Sequence, residues 1–112
     1  MIHVTVEKQG DAYRRVISRG HAHYDDSGLD IVCAAVSALL INTVNSIEVL
    51  TRDDLSVDED QAGDGYLSFT LGEEQSSDAV LLLDSMVLGL QTIMENYGDT
   101  YLLLEEREQD MI

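Results

Sequence analysis

The sequence has one cysteine, no tryptophan, no proline, and only six lysines and arginines among 112 residues. A lone cysteine cannot form an internal disulfide, so the fold does not depend on an oxidising compartment. It also weakens a metal reading, for which His21, His23, Asp30 and Cys33 are the candidate ligands, because structural zinc sites favour paired cysteines at close spacing. No cofactor or metal is expected. Against the few cations stand twenty-two Asp and Glu, for a formal net charge of −16. Such a surface is repelled by phosphate backbones and anionic leaflets, which argues against nucleic acid and membrane as partners. A basic polypeptide is favoured instead, although solubility alone would also account for the acidity. No apolar run approaches the roughly 18 residues of a bilayer span. The opening "MIHVTVEKQGD" alternates, unlike the basic-then-apolar layout of a secretory signal. A soluble, cytoplasmic protein is the expectation.

What is present is an ordinary apolar fraction of 45%, enough for a core. The length fits one domain over residues 1–112, with no repeat, linker or low-complexity segment. "IHVTVE" alternates as a strand with one buried face, "KQGDA" supplies a turn, and "YRRVISRGHA" reads as the second strand of a hairpin. "DIVCAAVSALLINTVNSIEVL" lacks Gly and Pro and opens on Asp30, a suitable N-cap, which predicts a helix. A second hairpin is expected, its weak leading strand near Leu55 and Val57 at a sheet edge and its second strand at Leu67, Phe69 and Leu71. "QSSDAVLLLDSMVLGLQTIMENYG" carries helix punctuation at both ends, and "TYLLLEE" adds a possible final strand before an acidic, frayed tail. Two hairpins each followed by a helix, ββαββα, predict an α+β two-layer sandwich with an antiparallel or mixed sheet. The second helix is apolar over more than one face, as at a homodimer contact or when a sheet wraps it within one subunit.

Chemistry concentrates in residues 20–39, "GHAHYDDSGLDIVCAAVSAL", where Cys33 follows His21 by twelve positions. With a helix starting at Asp30, Cys33 falls in the first turn, where unpaired N–H groups and the dipole favour a thiolate. Cys33 and a histidine then make a nucleophile and its base, with the N–H groups of Val32, Cys33 and Ala34 as oxyanion donors. Spacing leaves open which of His21 and His23 addresses the sulfur. It equally admits Cys33 as a small buried hydrophobe. His3 and His23 read as surface residues. The acidic loop from Asp58 fails as a calcium loop, since Ala62 and Phe69 fall where oxygen ligands are required.

"GHA", a polar loop and then "DIVCAAVSAL" resemble, without a gap, the signature of the bacterial ribosomal-processing cysteine proteases, the Prp family. The resemblance implies Cys33 as nucleophile and His21 as base, later the acid that protonates the leaving amine. It implies supporting roles for Asp30, which either orients His21 or caps the helix, and for Gly20 and Ser37. It further implies a homodimer, with a loop between His21 and Cys33 that closes over substrate. The implied substrate is the N-terminal extension of the twenty-seven-type large-subunit ribosomal protein, a basic chain suited to an acidic enzyme. His23, where the family has Gly, is a departure. The rival from another class is a non-catalytic, acidic ribosome-assembly module with Cys33 inert in the core.

Overall fold

The structure, a computed structural model, describes residues 1–20, 27–59, 65–98 and 101–109, with backbone alone for 27–30. The order is β1 (Ile2–Gln9), β2 (Ala12–Arg19), α1 (Ser27–Leu50), β3 (Leu55–Glu59), β4 (Tyr66–Leu71), α2 (Ser77–Tyr97) and β5 (Leu102–Glu108). The strands form one mixed sheet in the order β3-β4-β2-β1-β5, antiparallel except where β5 runs parallel to β1.

Register explains the layers. Val4 pairs with Ser18 and Val6 with Val16 across β1 and β2, and Val16 pairs with Phe69 across β2 and β4. These residues therefore share one face of the pleat. That face, with Ile2, Leu71 and Leu102, is buried against Val32, Val36, Leu40 and Ile47 of α1 and Leu83, Met86 and Leu90 of α2. The α+β two-layer sandwich is thus present, with both helices over one side of the sheet. The opposite face carries Glu7, Arg15, Ile17 and Arg19, the alternate residues of the same strands.

Local chemistry fixes the joints. Gly10 turns the first hairpin at φ 63°, and its N–H donates to Glu108 Oε1 at 2.6 Å, tying the hairpin to the end of β5. Ser76 caps α2 by accepting from the Ala79 N–H at 3.1 Å. Asp53 in turn accepts from the Ser76 N–H and hydroxyl at 2.8 and 2.6 Å, which holds its carboxyl below the usual range. Tyr13, on the helix side of β2, donates from its hydroxyl to Asp84 at 2.5 Å. Burial first, then that hydrogen bond and the Asp84 charge, push the phenol well above its ordinary pKa.

Four expectations change. β2 stops at Arg19, and Gly20 leaves the extended region at φ 100°; the rest of the expected strand, residues 21 and 22, lies outside the described residues. α1 begins three residues early, at Ser27. β5 extends through Glu108, so the first two residues of the tail expected to fray, Arg107 and Glu108, are strand, held by backbone pairing to β1 as far as Lys8↔Glu108. Finally, Ile31–Leu50 and Ser77–Tyr97, at mean hydropathies of 1.6 and 1.4, are long and apolar enough by length and composition to cross a membrane, although polar residues interrupt both. Part of that apolar content, Val32, Val36, Leu83 and Leu90, lies in the core, while Ile31, Ile41, Leu81 and Leu88 are exposed.

Candidate active site

A cleft of about 260 Å³ opens where the ends of β1, β2 and β4 meet the flank of α1. Cys33, half-buried, lines it together with Gly20, Ser18 and, along α1, Ser37 and Ile41. Ser37 lies four residues beyond Cys33, one helical turn, so both present to the same cleft. Val32 and Val36, the neighbours that anchor this part of α1, point into the core at 0% and 2% exposure. The core thereby fixes the rotation of the helix that aims the sulfur at the cleft.

Gly20 is a geometric necessity. A Cβ built there would stand 2.3 Å from the Met1 carbonyl oxygen, and its φ of 100° is one that L side chains rarely adopt. The chain therefore turns off β2 tightly against the start of β1, at the cleft wall. His21 and His23 lie outside the described residues, as does the side chain of Asp30.

The early start of α1 alters two expectations. Asp30 is the fourth residue of the helix and not its N-cap, so the capping role gives way to a negative charge in the first turn, which the dipole favours. Cys33 lies in the second turn. The N–H groups of Val32, Cys33 and Ala34 fall where an α-helix pairs each N–H with the carbonyl four residues back, so they are not the free oxyanion donors expected.

The remaining walls were not found from sequence. Ser18, 8% exposed, comes from β2, while Glu59 and Tyr66 come from the β3–β4 hairpin. Tyr66 is held by two arginines: Arg15 donates to its hydroxyl at 3.0 Å and Arg19 lies 5.2 Å from its ring centroid. The Ser68 hydroxyl and these two charges hold the phenol below its ordinary pKa. Alternation alone marks Tyr66 and Ser68 only as the outer face of a strand, and nothing local signals a cleft.

A thiol half-open to a cleft, on a helix packed over one face of a small mixed sheet, is placed where a nucleophile can reach a bound substrate. The family model for the cysteine protease Prp matches residues 1–102. The ribosomal processing cysteine protease Prp of Staphylococcus aureus is 36% identical over 98 residues, covering 88% of this chain and 91% of the relative. The Prp of Bacillus subtilis is 33% identical over 106 residues, covering 88% and 92%. The crystal structure of the S. aureus protease with a covalently linked product peptide superposes with a TM-score of 0.84 at 33% identity, covering 96% of this chain and all of that one. The chain belongs to the Prp family of cysteine proteases, and it is an enzyme of that class.

Proposed function

We propose that this protein is a cytoplasmic cysteine endopeptidase, a single domain acting as a homodimer, that removes the N-terminal extension of the twenty-seven-type large-subunit ribosomal protein. The observation that carries the reading is the half-buried Cys33 in a cleft whose wall includes Gly20, the residue bonded to His21. A net charge of −16 suits a basic substrate. The family membership and the product peptide covalently linked in the S. aureus relative support peptide-bond chemistry at a thiol.

The chemistry follows from the residue types. The His21 imidazole takes the Cys33 proton, and the sulfur forms a bond to the scissile carbonyl carbon. The tetrahedral adduct collapses, the C–N bond breaks, and the imidazolium gives its proton to the leaving amine. Water, deprotonated by the same imidazole, then attacks the thioester and releases the acid and the thiol. Asp30 orients His21, and Ser37, one turn from the sulfur, supports the cleft floor.

The test is incubation of the purified protein with a peptide spanning the extension junction, followed by mass spectrometry. Cys33→Ser and His21→Ala are each expected to lose at least about a hundredfold in kcat/KM. Chelation is expected to leave the rate unchanged. Full cleavage by Cys33→Ser would overturn the assignment.

A further inference from the structure

The Cys33 cleft continues beyond Ile41. Ile41, Glu59 and Leu67 also line a second recess of about 290 Å³, whose other walls are Val44, Asn45, Glu48 and Val57. Cys33, Ser37, Ile41, Val44 and Glu48 are three or four residues apart, so they form one stripe along α1. β3, the edge strand, flanks this stripe through Val57 and Glu59. At a rise of about 1.5 Å per residue, Glu48 lies about 22 Å along the helix from the sulfur, the reach of about seven residues of extended chain. The trough thus starts at the nucleophile and has the length of a peptide segment.

Its walls are chemically particular. Ile41 and Val57 are 46% and 42% exposed, leaving apolar surface open along it. Glu48 and Glu59 are both exposed, and the one ion pair among the described residues, Arg107 with Glu105, leaves them without a cation. Apolar wall beside an unneutralised carboxylate matches Lys or Arg, whose methylene stem covers the wall while its charged head stays hydrated at the carboxylate. An acidic side chain would meet two negative charges inside a protein of charge −16.

We propose that the trough between α1 and β3 is an extended specificity subsite that binds the flank of the substrate peptide, with a lysine or arginine four to seven residues from the scissile bond held by Glu48 and Glu59. The proposal rests on the peptidase reading above and adds the side chains that choose among peptides. Because both carboxylates face water, each contributes a screened attraction that acts on binding and not on the chemical step.

The test separates binding from cleavage by using Cys33→Ala protein and a fluorescent peptide spanning the extension junction, beside a twin with every lysine and arginine replaced by glutamine. In fluorescence anisotropy, Glu48→Gln combined with Glu59→Gln is expected to raise Kd for the basic peptide about three- to tenfold and to leave the twin's Kd unchanged. The preference for the basic peptide should fade at ~0.5 M salt, where the Debye length falls to a few ångströms. Glu48→Asp combined with Glu59→Asp should retain most of it. Equal weakening for both peptides, or none for either, would overturn the subsite. Charge-selective binding by protein that, with Cys33 intact, cleaves neither peptide would instead reject the proposed cleavage junction and leave the subsite standing.

Discussion

Gly20 concentrates two constraints in one residue: a left-handed φ of 100° and a Cβ position 2.3 Å from the Met1 carbonyl. Either alone costs about 1–3 kcal/mol for an L residue, and here the colliding atom is backbone, which cannot rotate aside. Gly20→Ala is therefore expected to lose about 2–4 kcal/mol of stability in urea titration and to displace the chain that leads into His21. Activity per folded molecule should fall as well. A substitution that left both stability and kcat/KM unchanged would contradict this geometry. Gly10, with φ 63° but no atom within 4 Å of a built Cβ, provides the contrast: substitution there meets only the conformational penalty.

Among the elements, α2 shows how a helix start is secured by a segment distant in sequence. Ser76 caps the helix, and Asp53 from the α1–β3 connection fixes Ser76 through both its N–H and its hydroxyl. Ser76→Ala should cost about 0.5–1 kcal/mol at neutral pH, a value that allows for the exposure of the Asp53 carboxylate. The carboxyl is held below its usual value, so its stabilisation is complete above the unfolded pKa of about 3.9 and is lost as pH falls through the lower folded value. The stability gap between wild type and Ser76→Ala should accordingly narrow only below about pH 4 in acid titrations followed by circular dichroism.

The same elements show what was readable in the linear sequence. α2 was legible because Ser76 and Gly98 bracket a long apolar pattern, and β1 because Ile2, Val4 and Val6 alternate. The start of α1 was not, since Ser27 and Gly28 show no apolar periodicity and Gly is a poor helix former, which put the start three residues late. The end of β5 past Glu106 was hidden because Arg107 and Glu108 carry no strand pattern, and backbone pairing with β1 overrides their propensity. Cys33 and the histidines before it stood out as a local motif, and the family resemblance singled out His21. Ser18, Glu59 and Ile41 did not, because a cleft assembled from β2, β3 and α1 exists only after folding.

For the whole molecule, the outward side of the helical layer carries exposed apolar side chains. Leu81 and Leu88 of α2, seven residues apart, are 67% and 63% exposed, while Leu83, Met86 and Leu90 fill the core. Beside them runs an open, mainly apolar groove of about 650 Å³ between α1 and α2, with Leu39 and Leu88 on its walls. The proposed homodimer would cover this surface. Leu81→Glu combined with Leu88→Glu is expected to shift sedimentation from dimer to monomer with little loss of secondary structure. A wild type that sediments as a monomer at micromolar concentration would remove the dimer from the proposal.

The parallel pairing of Ile2 with Leu102 also joins residues a hundred positions apart. During synthesis β1 emerges early, yet its outer edge has no partner until the polypeptide has been extended past Glu108. For that interval β1 presents the bare hydrogen-bonding edge from which strand-to-strand aggregation starts. A ribosome that stalls before β5 is made would thus release a chain whose two helices can form but whose sheet is open on the side that should have been closed last.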